Sequence, residues 1–193
     1  MKTRTALLLV VAAEAGVALA ATALFGWNLE GLQITTRWSG RLSLAIFSFI
    51  FLFWPAKKQS LSALLSENFY LAFALAHGIH LVELLSFVTQ SGTELVPYRV
   101  AGGFLAYALI FIMPFLQMRV QSGHMSESRF NSLGFIYQFY VWFVFFMTYV
   151  ARISGSFSNV SDDHTVHRIL MGWVCVILGI KLSGLFLKKS KAE

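Results

Sequence analysis

Charge is scarce in this sequence and cysteine nearly absent. Of the 193 residues only 12% are charged, while 57% are hydrophobic; a soluble domain carries about 25% charge. That excludes a soluble globular domain, and no polar stretch is long enough to add one. The single cysteine, Cys175, rules out an internal disulfide and any thiol–disulfide relay. No cysteine pair exists to hold an iron–sulfur cluster or to attach haem covalently. Lying in an apolar segment, Cys175 reads as a small packing residue. Alternating β patterns are few, so the 19 phenylalanines sit in runs that favour helices over a barrel. Also missing are a phosphate-cradling glycine loop, a dinucleotide fingerprint and a nucleophile elbow. A hydride-donating cofactor would have to belong to another protein. No internal repeat and no low-complexity segment occurs.

What is present is six apolar segments, at about 5–26, 38–55, 68–89, 99–118, 132–153 and 168–187. Each can cross a bilayer with little tilt. The expected fold is an all-α integral membrane protein, a bundle of six transmembrane helices forming a single domain over 1–193. Pro55 with Lys57 and Lys58 closes the second span, Ser91-Gly92 and Pro97 bracket a short turn, and Ser122-Gly123 and Ser154-Gly155-Ser156 open the last two loops. Pro114 is expected to kink the fourth helix. Lys2 and Arg4 before an apolar run, with Ala18-Leu19-Ala20 after it, imitate a signal peptide. Glu14 within the run and its continuation to Phe25 favour a retained first helix.

The net charge of +6 sets topology and does not mark a nucleic-acid binder. With both termini inside, the inner side holds Lys2, Arg4, Lys57, Lys58, Arg119, Arg129, Lys188, Lys189 and Lys191. The outer side holds Arg37, Arg41, Arg99, Arg152 and Arg168, and Lys181 lies in the inner half of the last helix. The bias supports N-in, C-in. Trp27, Trp38 and Trp54 fall at span ends, as an aromatic belt does. The tail Lys188-Lys189-Ser190-Lys191 suits anionic lipid. Gly172, Cys175, Gly179 and Ser183 form a small-residue stripe that lets a neighbouring helix approach closely.

The run His77-Gly78-Ile79-His80-Leu81-Val82-Glu83 interrupts the third span. Ionisable groups there are costly and mark a functional site facing the interior, or else bridge helices by hydrogen bonds. His77 and His80, three apart, project from one side of a helix, with Glu83 one step on. HxxH can supply two metal ligands, so His77, His80 and Glu83 form a candidate metal site. Two histidines on adjacent turns cannot both serve as axial ligands of one haem, but one can, with a partner from another helix.

Asp162-Asp163-His164-Thr165-Val166-His167-Arg168 opens the sixth helix. Asp162 or Asp163 suits an N-cap, and His164 and His167 repeat the i, i+3 spacing. In the N-in topology His80 lies about 20 Å up a 30 Å core and His167 enters from the outer surface, so the two can flank one cofactor. Arg37, Arg41 or Arg168 could neutralise a propionate. Glu14 can pair with a histidine or with Lys181. Gln138 lies among the aromatics of the fifth helix, where Tyr137, Tyr140, Tyr149 and Trp142 suit a porphyrin or quinone and equally suit lipid. His124 reads as solvated.

The segments Thr36-Arg37-Trp38-Ser39-Gly40-Arg41-Leu42-Ser43-Leu44, Phe53-Trp54-Pro55 and Phe73-Ala74-Leu75-Ala76-His77 resemble the ferric reductase-like transmembrane domain. The pattern is a Gly-Arg opening to the second helix, a proline at its end and a histidine inside the third. The branch most alike is the haem-binding membrane subunit that feeds electrons to a periplasmic methionine sulfoxide reductase, which implies a bacterial inner membrane. The resemblance implies a six-helix bundle holding b-type haem between the third and fifth helices, with His77 as the third-helix ligand and His80 as its rival. The fifth helix departs from the pattern: it has no histidine, with Leu133-Gly134-Phe135-Ile136-Tyr137 and Met147-Thr148-Tyr149 at the matching positions.

The leading expectation is therefore a membrane electron-transfer subunit, an oxidoreductase component holding one haem b between His77 or His80 and His167 or His164. Reduction would arrive from a partner or from quinol, and a protein partner is expected in the membrane or on its outer face. The alternatives are a haem-free accessory subunit of a larger membrane complex, and a metal site or transport pathway built on His77, His80 and Glu83.

Overall fold

A computed structural model describes residues 3–53, 69–94, 97–154 and 164–189. The expectations placed on Lys2, Trp54, Pro55, Lys57, Lys58, Gly155, Ser156, Asp162, Asp163, Ser190 and Lys191 lie outside the described residues. The described residues form six helices: α1 (Thr3–Phe25), α2 (Leu29–Phe53), α3 (Phe69–Ser91), α4 (Pro97–Gln121), α5 (Glu127–Ile153) and α6 (His164–Lys189). The fold is an all-α bundle, and five of the helices are long and apolar enough to cross a membrane.

The sixth helix, α2, which carries most of the apolar segment expected at 38–55, lies at the centre of the bundle. It packs against α1, α3, α5 and α6. Thr35, Thr36, Ser39, Ser43 and Ser48 on it are all buried. Neighbouring helices shield these hydroxyls from lipid. Thr35, Thr36 and Ser48 return their hydroxyls to the carbonyl one turn back, at 2.8–2.9 Å, which removes the donor that would otherwise go unmet.

α2 is longer than the span expected from residue 38. A tight turn links it to α1. Gly26, at φ 86°, takes the left-handed conformation that closes a helix. Asn28 then caps α2, accepting from the Gly31 N–H at 3.0 Å. Gly31 stands against the Gly26 carbonyl where a side chain has no room. Residues between the first two expected spans thus become the first two turns of the central helix.

The core is largely aromatic. Phe47, Phe51, Phe73 and Tyr137 are buried to 1% exposure or less. Phe47 meets Phe73 and Phe145 at 5.6 and 5.3 Å between ring centres, tying α2 to α3 and α5. Trp142 on α5 donates to the Val174 carbonyl of α6 at 2.9 Å, and Trp173 on α6 donates to the Ser48 hydroxyl of α2 at 2.9 Å. α4 runs as a helix through Pro114. With α3 it borders an apolar groove of about 480 Å³ that includes Gly78, Phe111 and Pro114.

The small-residue stripe of α6 faces outward. Gly172, Cys175, Gly179 and Ser183 are exposed, whereas Val174, Ile177 and Lys181 point in. Cys175 is therefore a surface residue rather than an internal packing one.

Candidate functional site

Three helices bring polar side chains to one level. Glu14 lies 11 residues before the end of α1, Ser39 lies 10 after the start of α2, and His80 and Glu83 lie 11 and 8 before the end of α3. At about 1.5 Å per residue they share a layer some 12–17 Å from the end of the bundle that carries the α1–α2 turn.

Gly40 gives this layer its geometry. A methyl group at Gly40 would lie 3.0 Å from Cε1 and 3.4 Å from Nε2 of His80, so the imidazole rests directly on the α2 backbone. From there the ring bonds the Thr36 backbone carbonyl. Nδ1 of His80 is buried with no hydrogen-bond partner among the described residues, so the donor is Nε2–H. Within α2 that carbonyl sits one turn before Gly40, and a carbonyl oxygen with two lone pairs can accept twice.

One step toward the α1–α2 turn, Ser39 is fully buried and close to both the Glu14 and the Glu83 carboxyl. Neither contact meets hydrogen-bond geometry. Both oxygens of Glu14, Oε2 of Glu83 and Oγ of Ser39 are buried without a partner among the described residues. Glu14 itself is 2% exposed. The same antiparallel register that sets Gly40 beside His80 sets Ser43 level with His77. Oγ of Ser43 and Nδ1 of His77 are likewise buried and unpartnered. The expected pairing of Glu14 with Lys181 does not form. The Lys181 ammonium lies over the Phe51 ring, 5.6 Å from its centre. Phe51 is 12 residues, about 18 Å, along α2 from Ser39.

His77 is walled by aromatic rings. It stacks on Phe73 at 5.2 Å and Tyr107 at 4.7 Å, meets the edge of Phe145 at 5.8 Å and stands 5.4 Å from His80. At the α5–α6 end, buried His167 lies 6.2 Å from Tyr149. Arg41 and Arg152 both face Tyr149, and Arg152 also faces His80. His164 and Arg168 are exposed, and Arg37 is half-buried.

This packing does not fit a haem. A porphyrin needs an open plane between two axial side chains. On α5, the helix that would border that plane, Phe145 touches His77 and Tyr149 touches His167. His80 has given its Nε2–H to Thr36. His164 points away, so it cannot replace the missing fifth-helix ligand from where it stands. A metal centre fares no better: among the described residues no group of three or more His, Cys, Asp or Glu side chains could hold a metal ion. His77, His80 and Glu83 follow one another along α3 and do not converge. His124 is exposed, as expected, and its Nδ1 shares a hydrogen bond with the Ser122 hydroxyl at 2.9 Å.

Reading the sequence placed His77, His80 and Glu83 in the site but missed what they face. Thr36, Ser39, Gly40 and Ser43 repeat at three- and four-residue spacing, which is the signal for one small, polar helix face. Arg152, at the far end of α5, carries no comparable signal. No family model matches the chain, and no curated protein or solved structure matches it.

Proposed function

We propose that this chain is a haem-free relative of the ferric reductase-like transmembrane domain, in which the seam between α1, α2 and α3 has become a proton pathway. The single observation that carries this reading is the file of buried polar atoms contributed by Glu14, Ser39, Ser43, His77, His80 and Glu83, which have no hydrogen-bond partner among the described residues. An unmet polar group in a bilayer costs several kcal/mol or about as much as a lost hydrogen bond, depending on its surroundings. A file of them has a function to offset that cost, and each of these groups can take or pass a proton. Deeper in the bundle the file meets a barrier of Phe47, Phe73 and Phe145. Beyond it, Tyr137 and Gln138 resume the run of buried, unpartnered polar atoms. By the lysine and arginine bias the carboxyl end of the file opens to the outer face of a bacterial inner membrane.

The test is proton flux into sealed proteoliposomes under an imposed pH gradient and a clamped potential. Wild type should collapse the gradient faster than protein-free vesicles, and Glu83→Gln should remove the difference. Equal rates for wild type and empty vesicles would sink the proposal. So would a b-type haem spectrum in the purified protein, whose dithionite-reduced band would return the chain to electron transfer. A second reading, an accessory subunit of a larger assembly, is favoured by the outward small-residue face of α6, where Gly172 and Gly179 have no heavy atom within 4 Å of a built side-chain position. Co-purification of a stoichiometric membrane partner would support it.

A further inference from the structure

We infer that Glu14 and Glu83 act as one unit, a carboxyl pair that exchanges a single proton across Ser39. The two side chains come from different helices, α1 and α3, and interact with each other beside the same serine hydroxyl. Ser39 is fully buried and its Oγ has no hydrogen-bond partner among the described residues. Both carboxyls approach that hydroxyl.

The electrostatics limit the pair to one proton. With both groups protonated the pair is neutral and its burial costs least. Release of one proton breaks one carboxyl O–H bond and sends the proton out along the seam. The remaining anion can then accept from the other carboxyl's O–H and from the Ser39 hydroxyl, both charge-assisted bonds. Release of the second would leave two anions side by side in a medium where like charges repel strongly. Such pairs titrate as a unit. The other charged or titratable groups near this layer are His80 on α3, committed to Thr36, His77 5.4 Å from it, Arg152 on α5 near His80, and the half-buried Arg37 and Arg41 on α2. α1 contributes Glu14, and α2 presents Ser39 between Arg37 and Arg41.

The oxygen set suits a proton better than a metal cation. The unpartnered oxygens of Glu14, Glu83 and Ser39 number four, whereas hard cations take about six or more oxygen ligands. The sequence offered Glu14 and Glu83 only separately, 69 positions apart.

The inference rests on the proton-pathway reading, but the two fail separately, because flux tests the pathway and infrared spectroscopy tests the pair. The full-length protein, labelled with ¹³C-glutamate, is titrated while the carbonyl stretch of protonated carboxyls is followed. Wild type should lose the intensity of one buried carboxyl and keep the other to alkaline pH. In Glu14→Gln and in Glu83→Gln the remaining group should change its midpoint by more than one pH unit, and Ser39→Ala should also move the wild-type step. A wild-type titration equal to the sum of the two single variants overturns the inference. If a variant fails to fold, loss of two carboxyls' intensity in wild type alone does the same. A midpoint that moves when sodium replaces choline also overturns it, in favour of a metal-cation site.

Discussion

Replacing Gly40 with alanine should destabilise this protein, although the same change usually stabilises a helix. In a helix interior alanine is favoured over glycine by about 0.5–1 kcal/mol. At Gly40 the new methyl would lie 3.0 Å from Cε1, 3.4 Å from Nε2 and 3.6 Å from Nδ1 of His80. All three are ring atoms, so the imidazole must move as a rigid plate. It has little room to do so, because His77 stands 5.4 Å away and is itself stacked on Phe73 and Tyr107. Overpacking of this kind costs about 1–3 kcal/mol, and loss of the Nε2–H bond to Thr36 adds about 0.5–1.5 kcal/mol. Set against the helix gain, the net loss is about 0.5–4 kcal/mol by the same principles. Reversible unfolding in mixed micelles measures it. Gly103→Ala is the control, since nothing lies within 4 Å of its built side-chain position, and it should be neutral or stabilising. The double variant Gly40→Ala, His80→Ala should recover part of the loss, because the clash needs both partners. If Gly40→Ala and Gly103→Ala proved equally stable, His80 would not rest on α2 and the account of the site would fall with it.

Three further outcomes follow from the packing. Phe73→Ala removes a fully buried ring that touches Phe47 and His77; it should cost about 3–5 kcal/mol and, by opening the aromatic barrier, raise proton flux in proteoliposomes above wild type. Trp142→Phe loses the donor to the Val174 carbonyl; unfolding should show about 0.5–1.5 kcal/mol of destabilisation, with flux unchanged. Asn28→Ala loses the cap on the Gly31 N–H and should cost about 1 kcal/mol, whereas Gly31→Ala, which meets the Gly26 backbone carbonyl, should cost more because no side chain can yield.

The lipid-facing elements were the legible part of the fold. α1, α3, α4, α5 and α6 each present long apolar faces, and each was evident as a hydrophobic run whose helix ends within a few residues of the expected bounds. α2 was legible only from residue 38. Thr35, Thr36 and Arg37 break the apolar run, and hydropathy cannot tell a polar loop from a polar helix wrapped by its neighbours. Gly26 and Asn28 are residue types that close and cap helices, but they fall at the edge of the gap between the first two expected spans.

In the site, periodicity identified His77, His80 and Glu83 because spacing along one helix is local information. Which side chains oppose them is not local. Ser39 meets Glu83 only because α2 and α3 run antiparallel in the register that seats His80 on Gly40, and that register depends on an absent side chain. His164 and His167 show the same limit from the other side. Three residues apart on one helix, they were interchangeable in the sequence, yet His167 is buried and His164 exposed, because only one of them falls on the face that packs against α5.

In water the most apolar segment marks the core, but in this bundle the order is inverted. α1, with the highest hydropathy of the candidate spans, has the least buried window of the five. α2, which carries five buried serine and threonine residues, lies at the centre. Lipid rewards apolar surface on the outside, so it exerts no pressure on the residues facing inward. Those residues are free to be polar, provided that protein surrounds them. A helix with a face of small hydroxyl residues, set among more apolar spans, therefore locates a membrane protein's internal chemistry better than a lone histidine does. In this chain the two signals meet at one contact, His80 on Gly40. The unpartnered carboxyls lie one step from it.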